Sequence, residues 1–556
     1  MTLREGDHLW PAQWGSLGCA HGPSRWLGAG APSFQSGYPP SGGAWRETIT
    51  PRTALEARIG ENLAMATTIE SLAAQSAPAT LKNFINGHWV ASSSSERLVV
   101  PNPATEAPLA YVPLSNAADV QAAVDAARAA AFEWGEMPPP ERAGYLFKLR
   151  EAMLDNREAL AKLVTTENGK VLSDATGEVR RGIEVVDFTC GAPTLLMGQN
   201  LDQVSRGIDS EMVRFPVGVV AGITPFNFPF MVPMWMLPLA IACGNSFILK
   251  PSERTPISAQ RIIEICEEAG IPAGVVGLVH GAVETVTGLI TNPGVDAISF
   301  VGSERVARIV YETAAKSGKR VQALGGAKNH IIAMPDAVLD QSVPNIAESA
   351  FGNAGQRCLA GSVLTLVGEA RERMLPRLLE HADKIKMGFG LDAGISLGPV
   401  IRGEARERIH KLVDEGVAAG ATMLRDGRGT GPAKGYFVGP TLLEIAPTSP
   451  LAREEVFGPV LSVLYAKDLD EALRLMAETN EYGNAASIYT ASGSAAREFK
   501  RKATSGMLGV NVGVAAPMAF FPFSGRRKSF FGDLHATGRD GVEFYTTKKV
   551  ITARWF

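Results

Sequence analysis

Val217–Lys250 reads VGVVAGITPFNFPFMVPMWMLPLAIACGNSFILK. Its opening, VGVVAGI, is a short apolar run without alternation, the composition of a strand buried on both faces of a parallel sheet. Thr224-Pro225-Phe226-Asn227-Phe228-Pro229 breaks that strand, and Phe230–Leu249 is the longest apolar run of the chain. Its length would permit a membrane span. Pro233 and Pro238 interrupt it, however, and Gly244-Asn245 ends it before the strand-like SFILK. It therefore reads as a buried helix feeding a second buried strand. Strand, loop, helix, strand is the unit of a doubly wound α/β domain.

The pattern continues downstream. Thr255–Ala269 reads as a helix, with Thr255 as cap and Pro256 in its first turn. Val275–His280, Ala297–Phe300 and Val321–Leu324 read as strands, separated by helices that start at Ala282 and Ser303. A second alternating run, from Ile331 to about Ser524, needs a core of its own, which puts a boundary near residue 326. Upstream, Leu81–Val90 reads as a hairpin about Asn86-Gly87. Asn116 caps an Ala-rich helix, Glu141–Asn168 and Gly177–Thr189 are helical, and Leu201–Phe215 reads as two strands about Arg206-Gly207. Asp540–Phe556 reads as an edge strand. Residues 1–64 hold Trp10, Trp14, Trp26 and Trp45 among many Gly and Pro, without a sustained period. They read as a disordered leader or an over-extended start ahead of Met65, with a mitochondrial transit peptide as the alternative.

The chain has 556 residues, enough for two or three domains; it is 46% hydrophobic and 20% charged, with a net charge of −3. That charge balance excludes a general nucleic-acid binder, which needs a basic face. Cys19, Cys190, Cys243, Cys266 and Cys358 are few, scattered and odd in number, so they form no disulfide framework and imply a reducing compartment. A protein without a membrane span in the cytoplasm is expected, the mitochondrial matrix being the alternative.

Phe351–Val363, FGNAGQRCLAGSV, carries the chemistry. Cys358 sits among small residues that let a carbonyl and backbone amides approach the sulfur, and Arg357 beside it favours the nucleophilic thiolate. Thr224–Pro229 follows a strand, at the edge where α/β sheets bind ligands, and offers the Asn227 amide as a donor between aromatic residues. Lys250-Pro251-Ser252-Glu253-Arg254 also follows a strand, with a cation and a carboxylate suited to ribose hydroxyls. Phe300-Val301-Gly302-Ser303 leads into a helix N-terminus, which favours phosphate; it is not G-x-G-x-x-G, and Ala307 stands in its first turn.

These motifs resemble those of the aldehyde dehydrogenase superfamily, and FGNAGQRCLAGS is most similar to its CoA-acylating, methylmalonate-semialdehyde branch. The resemblance runs from about Asn83 to Trp555 and includes Pro522-Phe523-Ser524-Gly525 and Gly541–Val550. It implies an α/β fold with an atypical Rossmann NAD-binding domain (65–195 and 216–326), an α/β catalytic domain (327–524) and a β oligomerisation arm (196–215 and 525–556) of a homodimer or homotetramer. Carried over residue by residue, it implies Cys358 as nucleophile and Asn227, with the nucleophile's backbone amide, as oxyanion hole. For NAD it implies Thr224, Phe226, Lys250, Glu253, Arg254, Gly302, Ser303, Glu455 and Phe457, the last two from Glu454–Pro459, EEVFGP. Arg181, in Arg180–Glu184, and Arg357 would bind a substrate carboxylate, since the guanidinium fork suits that group. No metal is implied.

One departure separates two chemistries. Hydrolytic members resemble one another in E-L-G-G-K, with the Glu 34 residues before the cysteine; here that position is Leu324, with no carboxylate one residue either side. Without a base to activate water, an acceptor that brings its own thiol is expected. The expectation is oxidation of methylmalonate or malonate semialdehyde with NAD and coenzyme A to propionyl-CoA or acetyl-CoA, carbon dioxide and NADH. The alternative is a hydrolytic enzyme releasing free acid.

Overall fold

The computed structural model describes residues 78–556, so the expectations on residues 1–64 lie outside the described residues. An eight-stranded sheet runs, in spatial order, Phe530–Phe531, Arg320–Leu324, Ala297–Val301, Val219–Ile223, Ser246–Lys250, Val276–Leu278, Asn83–Ile85 and His88–Val90. The central five strands are parallel, and the flanking ones are antiparallel. Along the chain these five occur as Val219, Ser246, Val276, Ala297 and Arg320, so the chain winds outward from Val219–Ile223, first one way and then the other. The order reverses between Val219–Ile223 and Ala297–Val301, and the crevice beyond their carboxyl ends is where such a sheet binds ligand. Thr224 and Gly302 begin there.

The helix between the first two strands, Met231–Ala242, is buried throughout except at Met231. Its prolines fall in the first turn and at Pro238, and at 12 residues it is too short to span a bilayer. Among the described residues no helix is long and apolar enough to cross a membrane. It packs on the helix Leu172–Cys190. Gly182 makes that approach possible, because a Cβ there would lie 2.5 Å from the Phe230 ring.

A seven-stranded sheet carries the second half: Thr422–Arg425, Thr441–Glu444, Val460–Ala466, Gly361–Val367, Asn329–Ala333, Ala485–Tyr489 and Met507–Val510, all parallel but the first. A third sheet pairs Thr546–Arg554 with Ile208–Pro216 and that strand with Gln199–Ser205, which is exposed along its whole length.

Three local expectations are corrected. Asp540–Phe556 is not all strand: Gly538–Phe544 is helix, and only Thr546–Arg554 is extended, at a sheet edge. The Thr255 hydroxyl does not cap its helix but donates to Phe226 O (3.3 Å). Glu167 does the capping, accepting from the amides of Ile257 and Ser258 (both 2.8 Å), because a carboxylate suits a helix N-terminus better than a hydroxyl. The segment 525–556 is not wholly arm, since Phe530–Phe531 pairs with Arg320–Leu324 in the first sheet. The Asn116 cap is present, completed into a capping box by Asp119.

Candidate active site

Cys358 lies just ahead of the strand Gly361–Val367, at the amino edge of the second sheet. Its approach is bent by three successive left-handed residues, Asn353 (φ 52°), Ala354 (φ 51°) and Gly355 (φ 68°). Only glycine fits at 355, where a Cβ would come within 2.0 Å of Gly458 O. At Asn353 and Ala354 this conformation costs roughly 1–2 kcal/mol each, so something must hold the turn. The Asn353 amide donates to Asp174 Oδ2 (3.0 Å). The Cys358 carbonyl accepts from Asn329 Nδ2 (2.8 Å) and Asn484 Nδ2 (2.7 Å). Arg357 donates through Nη2 to Asp174 Oδ1 and Glu348 Oε1 (2.8 Å each) and through Nη1 to Glu348 O (3.1 Å).

Those bonds change the expected part of Arg357. Two carboxylates absorb its charge, so it acts as a strut inside the nucleophile loop and does not win at the sulfur. Burial, followed by the nearby Glu455 carboxylate, pushes the Cys358 thiol up to about 12; Arg357 works against them as a minor effect. The free enzyme therefore holds Cys358 as a thiol.

Asn227, expected as the oxyanion donor, lies against the nucleophile loop. Asn227 Nδ2 donates one hydrogen to Gln356 O (2.9 Å), two residues before the cysteine, which leaves its second hydrogen for a ligand. The preceding carbonyl, Phe226 O, accepts from Asn168 Nδ2 (2.9 Å) as well as from Thr255.

The residues expected at the cofactor gather around the crevice. Thr224 N donates to Lys250 O (3.1 Å) across the two strand ends. Lys250 Nζ lies 3.5 Å from Glu253 Oε2, and burial lowers the affinity of the lysine for its proton. The Arg254 guanidinium sits 5.2 Å from the centre of the Phe226 ring, which meets the Phe457 ring edge-on at 5.9 Å. Gly302 N donates to Leu324 O (3.0 Å), and Ser303 opens the helix Glu304–Lys316 without spending its side chain as a cap. Glu455 accepts from Ala327 N (2.9 Å), and burial pushes its carboxyl up to about 7. A carboxylate and an ammonium for ribose hydroxyls, an uncapped helix N-terminus for phosphate and two facing aromatics fit a dinucleotide.

Cys358, Arg357 and Arg181 line one cavity of about 340 Å³, walled by Phe228, Met231, Trp235 and Phe523. Arg181 reaches its rim from the helix Leu172–Cys190. It donates to Glu184 Oε2 (3.1 Å) and Ala516 O (3.2 Å) and has one carboxylate partner where Arg357 has two. Leu324 is buried in the apolar cluster with Leu359 and Phe530 against which Cys358 packs. Position 324 itself carries no carboxylate; that of Glu455 lies against Gly326 and Ala327, two and three residues on.

Sequence reading missed the residues behind this surface: Lys170, Asp174, Glu178, Glu348, Asn353 and Gln356. Asn353 and Gln356 lay inside the quoted nucleophile motif, and their amides were the signal available. Lys170 and Glu178 are charged residues whose burial is tertiary, and Asp174 and Glu348 are marked only by their tertiary pairing with Arg357.

A family model described as "Aldehyde dehydrogenase family" matches residues 89–551. Malonate-semialdehyde dehydrogenase 2 of Geobacillus thermodenitrificans is 56% identical over 478 residues, covering 85% of this chain and 99% of the relative. Malonate-semialdehyde dehydrogenase of Halalkalibacterium halodurans is 54% identical over 477 residues, 85% and 98%. Among solved structures, a Sinorhizobium meliloti protein assigned as a methylmalonate-semialdehyde dehydrogenase, complexed with NAD, superposes with a TM-score of 0.85 at 43% identity, covering 86% of this chain and 99% of that one. Methylmalonate-semialdehyde dehydrogenase of Oceanimonas doudoroffii gives 0.84 at 42%, covering 86% and 98%.

Proposed function

Since this chain belongs to the aldehyde dehydrogenase family, we propose that it oxidises malonate or methylmalonate semialdehyde and passes the acyl group to coenzyme A. It is an NAD-dependent oxidoreductase. NAD, when bound, accepts the hydride that leaves the aldehyde carbon. Lys250, Glu253, the Gly302–Ser303 turn, Glu455 and Phe457 are the residues that would hold it.

The chain's own part starts at Cys358. Its thiol first gives up its proton to solvent; the thiolate then adds to the aldehyde carbon, and the carbonyl oxygen takes the negative charge. Asn227 Nδ2, already fixed by Gln356 O, donates its free hydrogen to that oxygen. Donors of this kind are worth about 3–4 kcal/mol in the transition state. After oxidation the acyl group is a thioester on Cys358. A β-carboxylate on it can leave as carbon dioxide, because the C–C bond pair passes into the thioester enolate, which then takes up a proton. The thiol of coenzyme A attacks the thioester carbonyl and Cys358 departs as thiolate, giving acetyl-CoA from malonate semialdehyde or propionyl-CoA from its methyl homologue. Arg181 supports the choice of a carboxylated aldehyde, with its guanidinium on the same cavity as the sulfur.

The observation that carries acyl transfer over hydrolysis is Leu324, apolar and packed with Leu359 and Phe530 where hydrolytic relatives keep a base. Hydrolysis has one supporting observation: a carboxyl other than one at position 324, that of Glu455, is held against the Gly326–Ala327 turn and pushed by burial up to about 7. Product analysis separates the two. Acyl-CoA is expected with coenzyme A present, and without it a burst of about one NADH per active site followed by near arrest. Free acid formed equally fast with or without coenzyme A refutes the acyl-transfer reading. The exposed strand Gln199–Ser205 supports assembly into homo-oligomers through the third sheet.

A further inference from the structure

The helix Leu172–Cys190 and the turn before it hold a buried ion pair that the reaction does not itself use. Lys170 Nζ lies 2.5 Å from Glu178 Oε2, and neither side chain is accessible to solvent. A buried pair of this kind is often no more stabilising than apolar residues of the same volume, so its presence calls for a role other than stability. The bonds its remaining valences make are specific. Lys170 Nζ also donates to the backbone carbonyl of Asn227 (2.7 Å) and stands 4.2 Å from the centre of the Phe228 ring. Glu178 Oε1 accepts from Phe230 N (2.9 Å) and Met231 N (3.1 Å), at the start of the helix that follows the Asn227 loop. One pair thus grips the Asn227 carbonyl and the backbone three and four residues after it. Asn353 Nδ2 donates to the same Asn227 carbonyl and to Gln356 O (3.3 Å each), joining this grip to the nucleophile loop.

We infer that Lys170 and Glu178 are positioning residues that aim the Asn227 amide at the substrate oxygen by fixing its own carbonyl and the backbone that follows it. The inference rests on the oxyanion role proposed for Asn227. The amide has one hydrogen tied to Gln356 O, so the direction of the other depends on where the Asn227 backbone stands. Losing the grip lets the loop settle elsewhere, and the donor then reaches the aldehyde oxygen poorly in the transition state, while aldehyde and NAD still bind.

The test is a double-mutant cycle on the rate of the NADH burst, which reads acylation before any acceptor acts. Lys170→Met with Glu178→Leu replaces the pair by apolar residues of similar volume. Asn227→Ala removes the donor, and the combination closes the cycle. Asn227→Ala is expected to slow the burst about 10²- to 10³-fold, and the pair replacement about 10- to 100-fold, in keeping with the cost of a small misplacement. Combined, they should be no slower than Asn227→Ala alone by more than about threefold, because there is no donor left to aim. If the two losses multiply, the pair supports the fold generally and the inference is wrong. If the pair replacement leaves the burst rate unchanged, it is equally wrong. Should that variant not fold, Glu178→Gln keeps the acceptor for Phe230 and removes the charge partner, and it must show the same non-additivity. If Asn227→Ala itself leaves the burst unchanged, the oxyanion assignment falls first and the positioning role with it.

Discussion

Replacing Leu324 by glutamate should turn on hydrolysis in a way that the surroundings make calculable. Leu324 ends its strand with 5% of its surface exposed, between the strands Ala297–Val301 and Phe530–Phe531. Its cluster neighbours Leu359 and Phe530 carry no charge. Removing the leucine forfeits about 1.5–3 kcal/mol of apolar burial, and an incompletely bonded carboxyl costs about 1–3 kcal/mol more. A substantial drop in melting temperature is therefore expected. Desolvation pushes the new carboxyl above the usual carboxylate range. It is protonated, and useless as a base, at low pH. Raising the pH ionises it, and a general base then contributes about 10²- to 10⁴-fold to water attack on the thioester. Steady NADH formation without coenzyme A, measured after the burst, should thus rise with pH in Leu324→Glu and stay low in the unaltered enzyme. Leu324→Gln is the control for size and polarity, and it should leave hydrolysis slow. Equal acceleration by Gln and Glu would mean that looser packing admits water, and that absence of a base is not what protects the thioester.

Two further outcomes follow from the charges around the sulfur. With Cys358 held up to about 12, only roughly 10⁻⁴ of it is thiolate at pH 8. Iodoacetamide labelling of the free enzyme should therefore climb about tenfold per pH unit from pH 7 to 10, and Glu455→Gln, which removes the second cause of the shift, should speed it at pH 9. A plateau below pH 9 would refute this. For the arginines, Arg181→Ala should cost carboxylated semialdehydes about 10- to 100-fold in kcat/KM while sparing propanal. Arg357→Ala should hurt both substrates alike, because Arg357 braces the loop through Asp174 and Glu348. A selective loss in Arg357→Ala would restore it as a carboxylate ligand.

What was legible in the sequence was whatever is written locally. The parallel strands at Val219, Ser246, Ala297 and Arg320 announce themselves as short apolar runs between turns. Cys358, Asn227, Lys250 and Glu455 sit in motifs whose spacing survives any loop movement. The short helix Gly538–Phe544 was hidden because Val542, Phe544 and Tyr545 read as strand formers, and its conformation is fixed by packing against the helix Met231–Ala242. The bracing made by Arg357 was hidden for a related reason. Its nearness to Cys358 is visible along the chain, but Asp174, which takes up its charge, is 183 residues away. Lys170 and Glu178 look in sequence like the solvated charges of an ordinary helix.

Nucleophile and oxyanion donor stand on different sheets: Asn227 beyond the carboxyl edge of the first, Cys358 at the amino edge of the second. Addition to an aldehyde requires both within bonding reach of one C=O group, and an error near 1 Å can cost about 10²-fold. Loops at the margins of two sheets would not hold that tolerance alone. The segment from Lys170 through the helix Leu172–Cys190 meets both. It grips Asn227 through Lys170 and Glu178, and it grips the strained turn before Cys358 through Asp174, which takes Asn353 N and Arg357 together. Arg181, on the same helix, lines the cavity between them. The proposed donor, nucleophile and carboxylate ligand are thus all referred to this helix and the turn before it. A perturbation of that helix should therefore reach acylation before it reaches cofactor binding, most of whose proposed residues follow strands of the first sheet.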